Sequence, residues 1–221
     1  MNRATKILLL ILLCLSFNQL EAQNDYSFYN YRLLGLKAGW NASSIGLQPA
    51  ISDLSSDYSY SGGLVYVFSD KKNVGIQIEL LFNSRKWIEY FDIYQAKTEL
   101  QYLELPLMTN INLGNGRFKY LINLGTYFAV KLDQNQYTNL PENNMYYQGF
   151  IDRTERGSDF GLLIGGALRY FSNVGVFQID ARFAYGYQKI YNEDATGFRF
   201  SNMSVIHVGV AYMIHLKKDY K

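Results

Sequence analysis

The stretch VGIQIELLFNSR, residues 74–85, alternates between apolar and other side chains along almost its whole length. The apolar residues occupy every second position from Val74 to Phe82, and Gln77 and Glu79 lie between them. Because successive side chains of a β-strand point to opposite faces, this alternation predicts a strand with an apolar surface on one side and a polar surface on the other.

Seven further segments repeat the alternation, and none of the eight has a charge on its apolar face. We therefore predict an all-β fold, namely an eight-stranded antiparallel up-and-down transmembrane β-barrel. The other seven predicted strands are Leu34–Asn41, Tyr58–Phe68, Tyr102–Asn112, Lys119–Lys131, Phe160–Tyr170, Phe177–Tyr187 and Ile206–His215.

The predicted connections alternate between short and long, as they do in outer-membrane barrels. Outward aromatic residues also collect near both ends of the strands, as expected for two interfacial belts. The short turns are Ser69–Asn73, Gly114–Gly116 and Ser172-Asn173, and the long connections are Ser43–Asp57, Trp87–Lys97, Asp133–Ser158 and Ile190–Ser201. The outer belt comprises Trp40, Tyr58, Tyr60, Phe82, Phe128, Phe160, Tyr185, Tyr187 and Phe200, and the inner belt comprises Tyr66, Phe68, Tyr120, Tyr170, Phe177 and Tyr212.

The alternative is a secreted soluble barrel with its apolar residues inside. Such a barrel needs a charged exterior, and only 18% of the 221 residues are charged. The balance of 21 Lys+Arg against 19 Asp+Glu gives no basic stripe of the kind that binds nucleic acid. The composition favours the membrane barrel, with membrane lipids as its first contacts.

The N-terminus has the features of a secretory signal peptide, which we place at residues 1–22 and which leaves the barrel domain at 23–221. Arg3 and Lys6 precede the apolar run Ile7–Leu15, which is too short to span a bilayer. The predicted location is thus the outer membrane of a Gram-negative cell. Cys14 is the only cysteine, so cleavage after Ala22 removes any thiol or disulfide chemistry.

Five short runs in this order resemble the PorT-like outer-membrane β-barrel family of Bacteroidota. The resemblance implies an eight-stranded outer-membrane barrel, and the namesake of the family is linked to the type IX secretion pathway. One departure is the C-terminus, where the last strand continues into Lys217–Lys221 instead of finishing on an aromatic residue. The runs are GLKAG at 35–39, QIELL at 77–81, YLELP at 102–106, LINLG at 121–125 and DARFAY at 180–185.

Charged residues on the inward face must be paired, because eight strands enclose a lumen that side chains nearly fill. We predict an interior ion-pair network in which Glu79 and Glu104 pair with Arg182, with Arg169 nearby. An ion path through the lumen is the functional alternative. The inward charged residues are Glu79, Glu104, Asp180, Arg169, Arg182, Lys131 and Lys37. On the Glu104 strand, Pro106 predicts a local break or bulge at Leu105–Leu107.

The sequence offers little support for catalysis or for a cofactor. His207 and His215 lie on the same predicted face, but about 26 Å apart at 3.3 Å per residue, so they cannot share one metal ion. A nucleophilic arrangement of Ser204, His207 and Glu193 is not required by any spacing. We therefore predict no catalytic, metal or cofactor site and a non-enzymatic structural or interaction protein, an accessory to secretion or surface assembly. A narrow channel and a lipid-modifying enzyme are the alternatives.

The loop Asp133–Ser158 combines tyrosines with asparagines and glutamines. Such mixtures provide rigid aromatic area and adaptable hydrogen bonds. They are suited to contacts with a protein or a glycan, and equally to a cap that packs over the mouth of the barrel.

Overall fold

Eight antiparallel strands form a ring in the computed structural model, each paired with its neighbour in the sequence and the last with the first. The structure describes residues 30–114, 116–153, 155–191 and 198–218. This closed barrel confirms the predicted fold class. The strands are β1 (Tyr31–Gln48), β2 (Asp53–Ser69), β3 (Val74–Phe91), β4 (Tyr94–Leu113), β5 (Phe118–Thr138), β6 (Ser158–Phe171), β7 (Val176–Gly186) and β8 (Phe200–Lys218), and a short helix α1 (Tyr147–Ile151) lies between β5 and β6.

The apolar face of every strand points outward. Leu36 is 68% exposed, and Leu80, Ile164 and Val208 are also exposed, whereas Glu79 on the opposite face is buried. A continuous apolar wall of this kind is stable only where lipid chains cover it. The soluble barrel with an apolar interior is therefore ruled out by the direction of its side chains.

The outward aromatic residues stand near the two ends of the aliphatic wall, where the belts were predicted. Trp40, Phe128 and Phe160 are exposed toward the long-loop rim, and Tyr120 and Phe177 are exposed toward the short-turn rim. Their rings are suited to the two interfaces between hydrocarbon and water.

Two of the four predicted long connections are wrong because the strands continue into them. β3 extends to Phe91 and β4 begins at Tyr94, so the expected loop Trp87–Lys97 is a hairpin with a two-residue turn. Similarly, only residues 49–52 separate β1 from β2. Beyond the aliphatic wall the strands continue with polar residues on their outward face. Because both faces are then polar, the composition of these segments is like that of a loop, and they were predicted to be loops. Residues 139–157 separate β5 from β6, and residues 187–199 separate β7 from β8, so these two connections are long, as predicted.

Near the long-loop rim, two of the ladders between neighbouring strands end before the strands do. The strands between these two ladders continue beyond the closed part of the barrel. Pairing of β1 with β2 ends at Ser43 and Asp57, and pairing of β5 with β6 ends at Val130 and Ser158. In contrast, β3 and β4 remain paired as far as Phe91 and Tyr94. Strands β2 to β5 therefore project as a four-stranded sheet, with β3 reaching roughly 30 Å along its own direction beyond Phe82.

Pro106 interrupts the sheet without shifting it. The ladder between β3 and β4 lacks the pairs at Glu79 and Leu80, although its register is the same on both sides of the gap. On the other side, Pro106 stays paired with Tyr127 of β5. The predicted break is thus present, but no bulge accompanies it, because the missing N–H of proline removes a hydrogen bond without adding a residue.

Several sequence predictions concern segments beyond this description. The predicted signal peptide at residues 1–22, Glu193 and the last three residues, 219–221, lie outside the described residues. Within the described ranges, no helix is long and apolar enough to cross a membrane.

Two adjacent glycines of β2, Gly62 and Gly63, provide a matched test of how closely the backbones of neighbouring strands approach. A Cβ atom on Gly63 would overlap the backbone carbonyl of Leu80 on β3, whereas one on Gly62 would lie 3.6 Å from the carbonyl oxygen of Lys37, an ordinary contact. We predict that Gly63→Ala reduces the fraction of folded barrel, measured as the heat-modifiable band on gels after refolding in detergent. Gly62→Ala should fold like the parent, and equal behaviour of the two variants would contradict this account.

Candidate functional site

The lumen holds layers of polar side chains together with two clusters of buried apolar residues. We describe the polar layers from the short-turn rim upward. In the lowest layer, the guanidinium of Arg169 donates hydrogen bonds to Gln178 Oε1 at 2.6 Å, to the Tyr31 hydroxyl at 3.0 Å and to Gln77 Oε1 at 3.1 Å. These three acceptors are uncharged. The Lys119 ammonium lies over the Tyr31 ring, 4.9 Å from its centroid. Arg169 was predicted to lie near Glu79 and Glu104. Its hydrogen-bond partners place it in a layer below these two carboxylates.

The middle layer holds a compact group of two cations and two anions. Glu79 accepts hydrogen bonds from Arg182 at 2.7 Å and from Lys37 at 2.9 Å. Lys37 also contacts Asp180, with 2.7 Å between Nζ and Oδ1. All four side chains are buried, and their formal charges cancel. The structure thus brings together Glu79, Arg182 and Asp180 from the predicted set, with Lys37 as the bridge.

Glu104 lies in the next layer and contacts Arg85, so its predicted pairing with Arg182 is wrong. Arg85 donates to Glu104 Oε2 and to Asp159 Oδ2, each at 2.6 Å. The rings of Tyr102 and Tyr127 lie 4.8 and 5.1 Å from the Arg85 guanidinium carbon. Alternation places Arg85 on the inward face, but its partner depends on how far the tilted strands are staggered, which alternation does not specify.

Uncharged groups connect the charged layers. The His207 Nδ1 lies 2.8 Å from Asn41 Oδ1, and its Nε2 lies 3.7 Å from Asp180. Asn41 donates to Asn83 at 2.7 Å, and Asn83 donates to Glu104 at 2.7 Å. Hydrogen bonds therefore run from His207 through Asn41 and Asn83 to Glu104 in the Arg85 layer. The His207 Nε2 faces Asp180 of the middle layer without a hydrogen bond between the two. Such connected groups hold one another in one arrangement.

A cap closes the long-loop rim. The Arg153 Nη1, from the loop between β5 and β6, lies 2.8 Å from both carboxylate oxygens of Glu89. The rings of Phe150, Tyr191 and Phe198 surround its guanidinium at 5.1 to 5.5 Å. Burial alone would lower the pKa of Arg153, but the Glu89 carboxylate outweighs this and raises the pKa above its usual value.

Glu155 joins the two long loops across the mouth. It forms an isolated antiparallel bridge with Tyr191, and its side chain is buried with no hydrogen bond to either carboxylate oxygen among the described residues. Burial raises the pKa of this carboxyl, and the charge of Lys131, whose Nζ lies 3.9 Å from Oε2, offsets this only in part. The carboxyl of Glu155 therefore loses its proton less readily than that of an exposed glutamate.

Much of this arrangement was missed in the sequence. Alternation places Arg85 on the inward face, whereas Glu89 lies in the segment Trp87–Lys97 that was predicted to be a loop and is strand β3 as far as Phe91. Asp159 lies at the very start of β6, and Arg153 lies in a connection without periodicity, where no pattern indicates burial. The loop Asp133–Ser158 is partly strand and partly this cap, with Leu140 and Phe150 buried in it.

The geometry does not assemble a nucleophile or a metal centre from the residues considered. His207 is buried in the lumen, whereas Ser204 lies on the opposite face of β8. His215 stands near the short-turn rim, with its ring 6.1 Å from that of Phe171. In the part of the chain that the structure describes, no three His, Cys, Asp or Glu side chains come close enough to hold a metal ion.

Glu79 in the middle layer has two cationic partners, whereas Glu104 and Asp159 in the next layer share Arg85. This difference predicts that the two arginines contribute unequally to stability. Arg182→Leu leaves Glu79 with Lys37, whereas Arg85→Leu removes the cation that pairs with both Glu104 and Asp159. Because removing one partner of a buried pair costs about 3–5 kcal/mol, we expect Arg85→Leu to lower the thermal unfolding midpoint more than Arg182→Leu. Circular dichroism in detergent measures both midpoints.

The control for this comparison restores neutrality. Combining Arg85→Leu with Glu104→Gln and Asp159→Asn should recover part of the lost stability, since no buried charge then remains unpaired in that layer. An Arg182→Leu variant that is less stable than the Arg85→Leu variant would contradict the assignment.

Comparison with known proteins agrees with this architecture. Residues 17–192 match the family described as outer membrane protein beta-barrel domain. The solved structure of OprG from Pseudomonas aeruginosa has 15% identity and a TM-score of 0.52, covering 85% of this chain and 98% of that chain. Ail of Yersinia pestis has 11% identity and a TM-score of 0.44, over 85% and 100% of the two chains.

No curated protein matches the sequence. The family match covers well over half of the chain, and the fold, the apolar wall and the aromatic belts agree with it. The protein is thus a multi-pass outer-membrane β-barrel, and the chain belongs to the outer membrane protein beta-barrel domain family.

Proposed function

We propose that the protein is a non-enzymatic, non-conducting outer-membrane barrel that acts as a structural or interaction protein at the cell surface. The observation that carries the proposal is the filled lumen. Charged side chains occupy it in successive layers, each linked by hydrogen bonds or ion pairs to the barrel wall, and the Arg153–Glu89 contact closes its mouth. A barrel of this kind leaves its outer end as the part that can meet a partner.

A narrow channel is the second candidate, and the same layers argue against it. A conducting path needs sites that ions enter and leave easily. Here Arg85 is buried between two carboxylates and two tyrosine rings, and Trp87 is buried above it. An ion would have to break these contacts to pass, which supports a plug that stiffens the barrel.

Enzymatic modification of lipid is the third candidate and has the weakest support. It needs a nucleophile with a base at the outer rim. Ser204 and His207 lie on opposite faces of β8, so they do not form such a pair. This separation favours a role in binding or assembly.

The outer end supplies surfaces for protein or glycan contacts. The sheet of β2 to β5 projects beyond the aliphatic wall, and Ile93, Tyr137 and Met145 are well exposed on it and on the loop Asp133–Ser158. Exposed aromatic and apolar residues above a membrane favour contacts with other molecules. The resemblance to the PorT-like family of Bacteroidota supports a more specific role as an accessory to protein secretion or surface assembly, in a precursor whose signal peptide is residues 1–22.

The closed lumen is tested by conductance in planar lipid bilayers. We expect the reconstituted protein to give no channel steps, with a large porin in the same bilayer as the positive control. Arg153→Ala, which removes the cap contact, should also be silent, because the Arg85 layer below it remains. Regular single-channel steps from the parent protein would contradict the non-conducting role.

The secretion role is tested in cells. We expect deletion of the gene to reduce the set of proteins exported to the cell surface, measured by surface labelling and mass spectrometry. The full chain should restore export, whereas a chain with residues 139–157 replaced by a short turn should restore it less, provided that it is folded in the membrane. An unchanged surface proteome in the deletion strain would contradict the secretion role and leave the closed barrel unaffected.

A further inference from the structure

A cleft opens at the outer end of the barrel, beside the tip of the β3–β4 hairpin. It lies between this tip, the connection before β2 and the loop before α1. Its volume of about 560 Å³ falls within the range of roughly 300–1,000 Å³ that small-ligand pockets occupy. The cleft is separate from the lumen network, and none of the roles discussed so far for the charged layers uses it.

Aromatic rings form much of the cleft wall and are held in place. Tyr146 stacks on Phe91 with 5.3 Å between ring centroids and 29° between ring planes. Its backbone N–H donates to Asn144 Oδ1 at 2.9 Å. Phe91 is buried and covers one face of the Tyr146 ring, while the Tyr146 side chain keeps 38% of its surface exposed. The ring is therefore a preset flat platform, and preset contacts reduce the entropy that binding costs.

The polar groups of the cleft include the carboxylates of Asp53 and Asp92 and the amide of Asn144. Asp53 faces the cleft from the position paired with Tyr90 in the β2–β3 ladder, and Asp92 lies at the hairpin tip with φ of 57°. A two-residue hairpin turn requires this left-handed backbone conformation, and aspartate adopts it more readily than most residues. Asn144 adds an amide that both donates and accepts.

The charge of the cleft excludes anionic ligands. None of the described residues that line it is Lys, Arg or His. The cations in the surrounding outer sheet and cap are engaged elsewhere, since Lys97 pairs with Asp57 and Arg153 pairs with Glu89. A sulfated or phosphorylated ligand would meet two carboxylates with no compensating cation.

We propose that this cleft binds an uncharged oligosaccharide, which rests on the surface-interaction role proposed above and specifies its ligand class. The C–H groups of a sugar ring carry partial positive charge and pack against the negative face of an aromatic ring. Sugar hydroxyls donate strong hydrogen bonds to carboxylates such as Asp53 and Asp92. The rings of Tyr90 and Tyr146 together with these acceptors provide both kinds of contact in one cleft.

A cationic peptide is the competing ligand, and the shape of the site disfavours it. A cation can lie over the face of a single ring, but recognition of cationic ligands typically uses a cage of several rings. Here one face of Tyr146 is already covered by Phe91, so the ring offers a single flat surface. A flat surface is matched by the flat face of a pyranose ring.

The test is calorimetric titration of the intact barrel in lipid nanodiscs. The probes are uncharged hexasaccharides of glucose, mannose, xylose and N-acetylglucosamine, with a chondroitin sulfate hexasaccharide and trilysine as charged comparisons. We expect at least one uncharged hexasaccharide to bind and neither charged probe to do so. Tyr90→Ala and Asp92→Asn should each weaken binding about ten-fold or more. Asp70→Asn, at an exposed residue of the short turn between β2 and β3 on the opposite rim, should bind like the parent.

Each remaining outcome overturns the cleft proposal. These outcomes are no binding of any uncharged probe, binding of the sulfated probe, binding of trilysine, or full affinity in a Tyr90→Ala barrel whose heat-modifiable band shows it to be folded. Failure here, with silent bilayers and an export defect on deletion, leaves the proposed function standing. A conducting barrel that binds the hexasaccharide would instead contradict the closed lumen and support the cleft.

Discussion

The structure depends on neutralising charge inside a lumen that is too narrow for bulk water. The wall of the barrel is apolar on the outside because lipid covers it, so every ionised side chain of the membrane-spanning region must turn inward. A buried charge without a partner is costly, and only a close opposite charge with further hydrogen bonds compensates for it. In the middle layer, two cations, Lys37 and Arg182, face two carboxylates. In the next layer, Arg85 alone pairs with Glu104 and Asp159, and Asn83 and Tyr127 donate further hydrogen bonds to these carboxylates.

The need to pair buried charges explains why side chains fill the interior and why each cation contacts particular strands. Each cation reaches across the lumen, since Lys37 of β1 binds Glu79 of β3 and Asp180 of β7. Such contacts join strands that are far apart around the ring, in addition to the backbone ladder that joins neighbours. The barrel is thereby braced across its diameter.

Alternation in the sequence predicted which side chains point inward and which point outward. It did not predict which inward side chains contact each other, because that depends on the stagger of the strands and on packing. The facing of Leu36, Glu79 and Arg182 followed from period two, because the side chain of each successive residue must change sides. The partner of Glu104 did not follow, because it depends on the tilt of β3 against β4. The hairpin at Asp92 replaces the predicted loop, because strands that leave the membrane carry polar residues on their outer face as loops do.

The cap over the lumen and the exposed cleft beside it share buried residues that alternation did not predict. Arg153 and Phe150 come from a connection without periodicity, so only the folded chain places them over the lumen. Phe91 belongs to the cluster that contains Phe150, and its ring carries the Tyr146 platform of the cleft. The packing that closes the lumen therefore also orders the exposed cleft beside it. A barrel with an open mouth would lose this support, so closing the lumen and presenting a rigid outer surface are one structural solution.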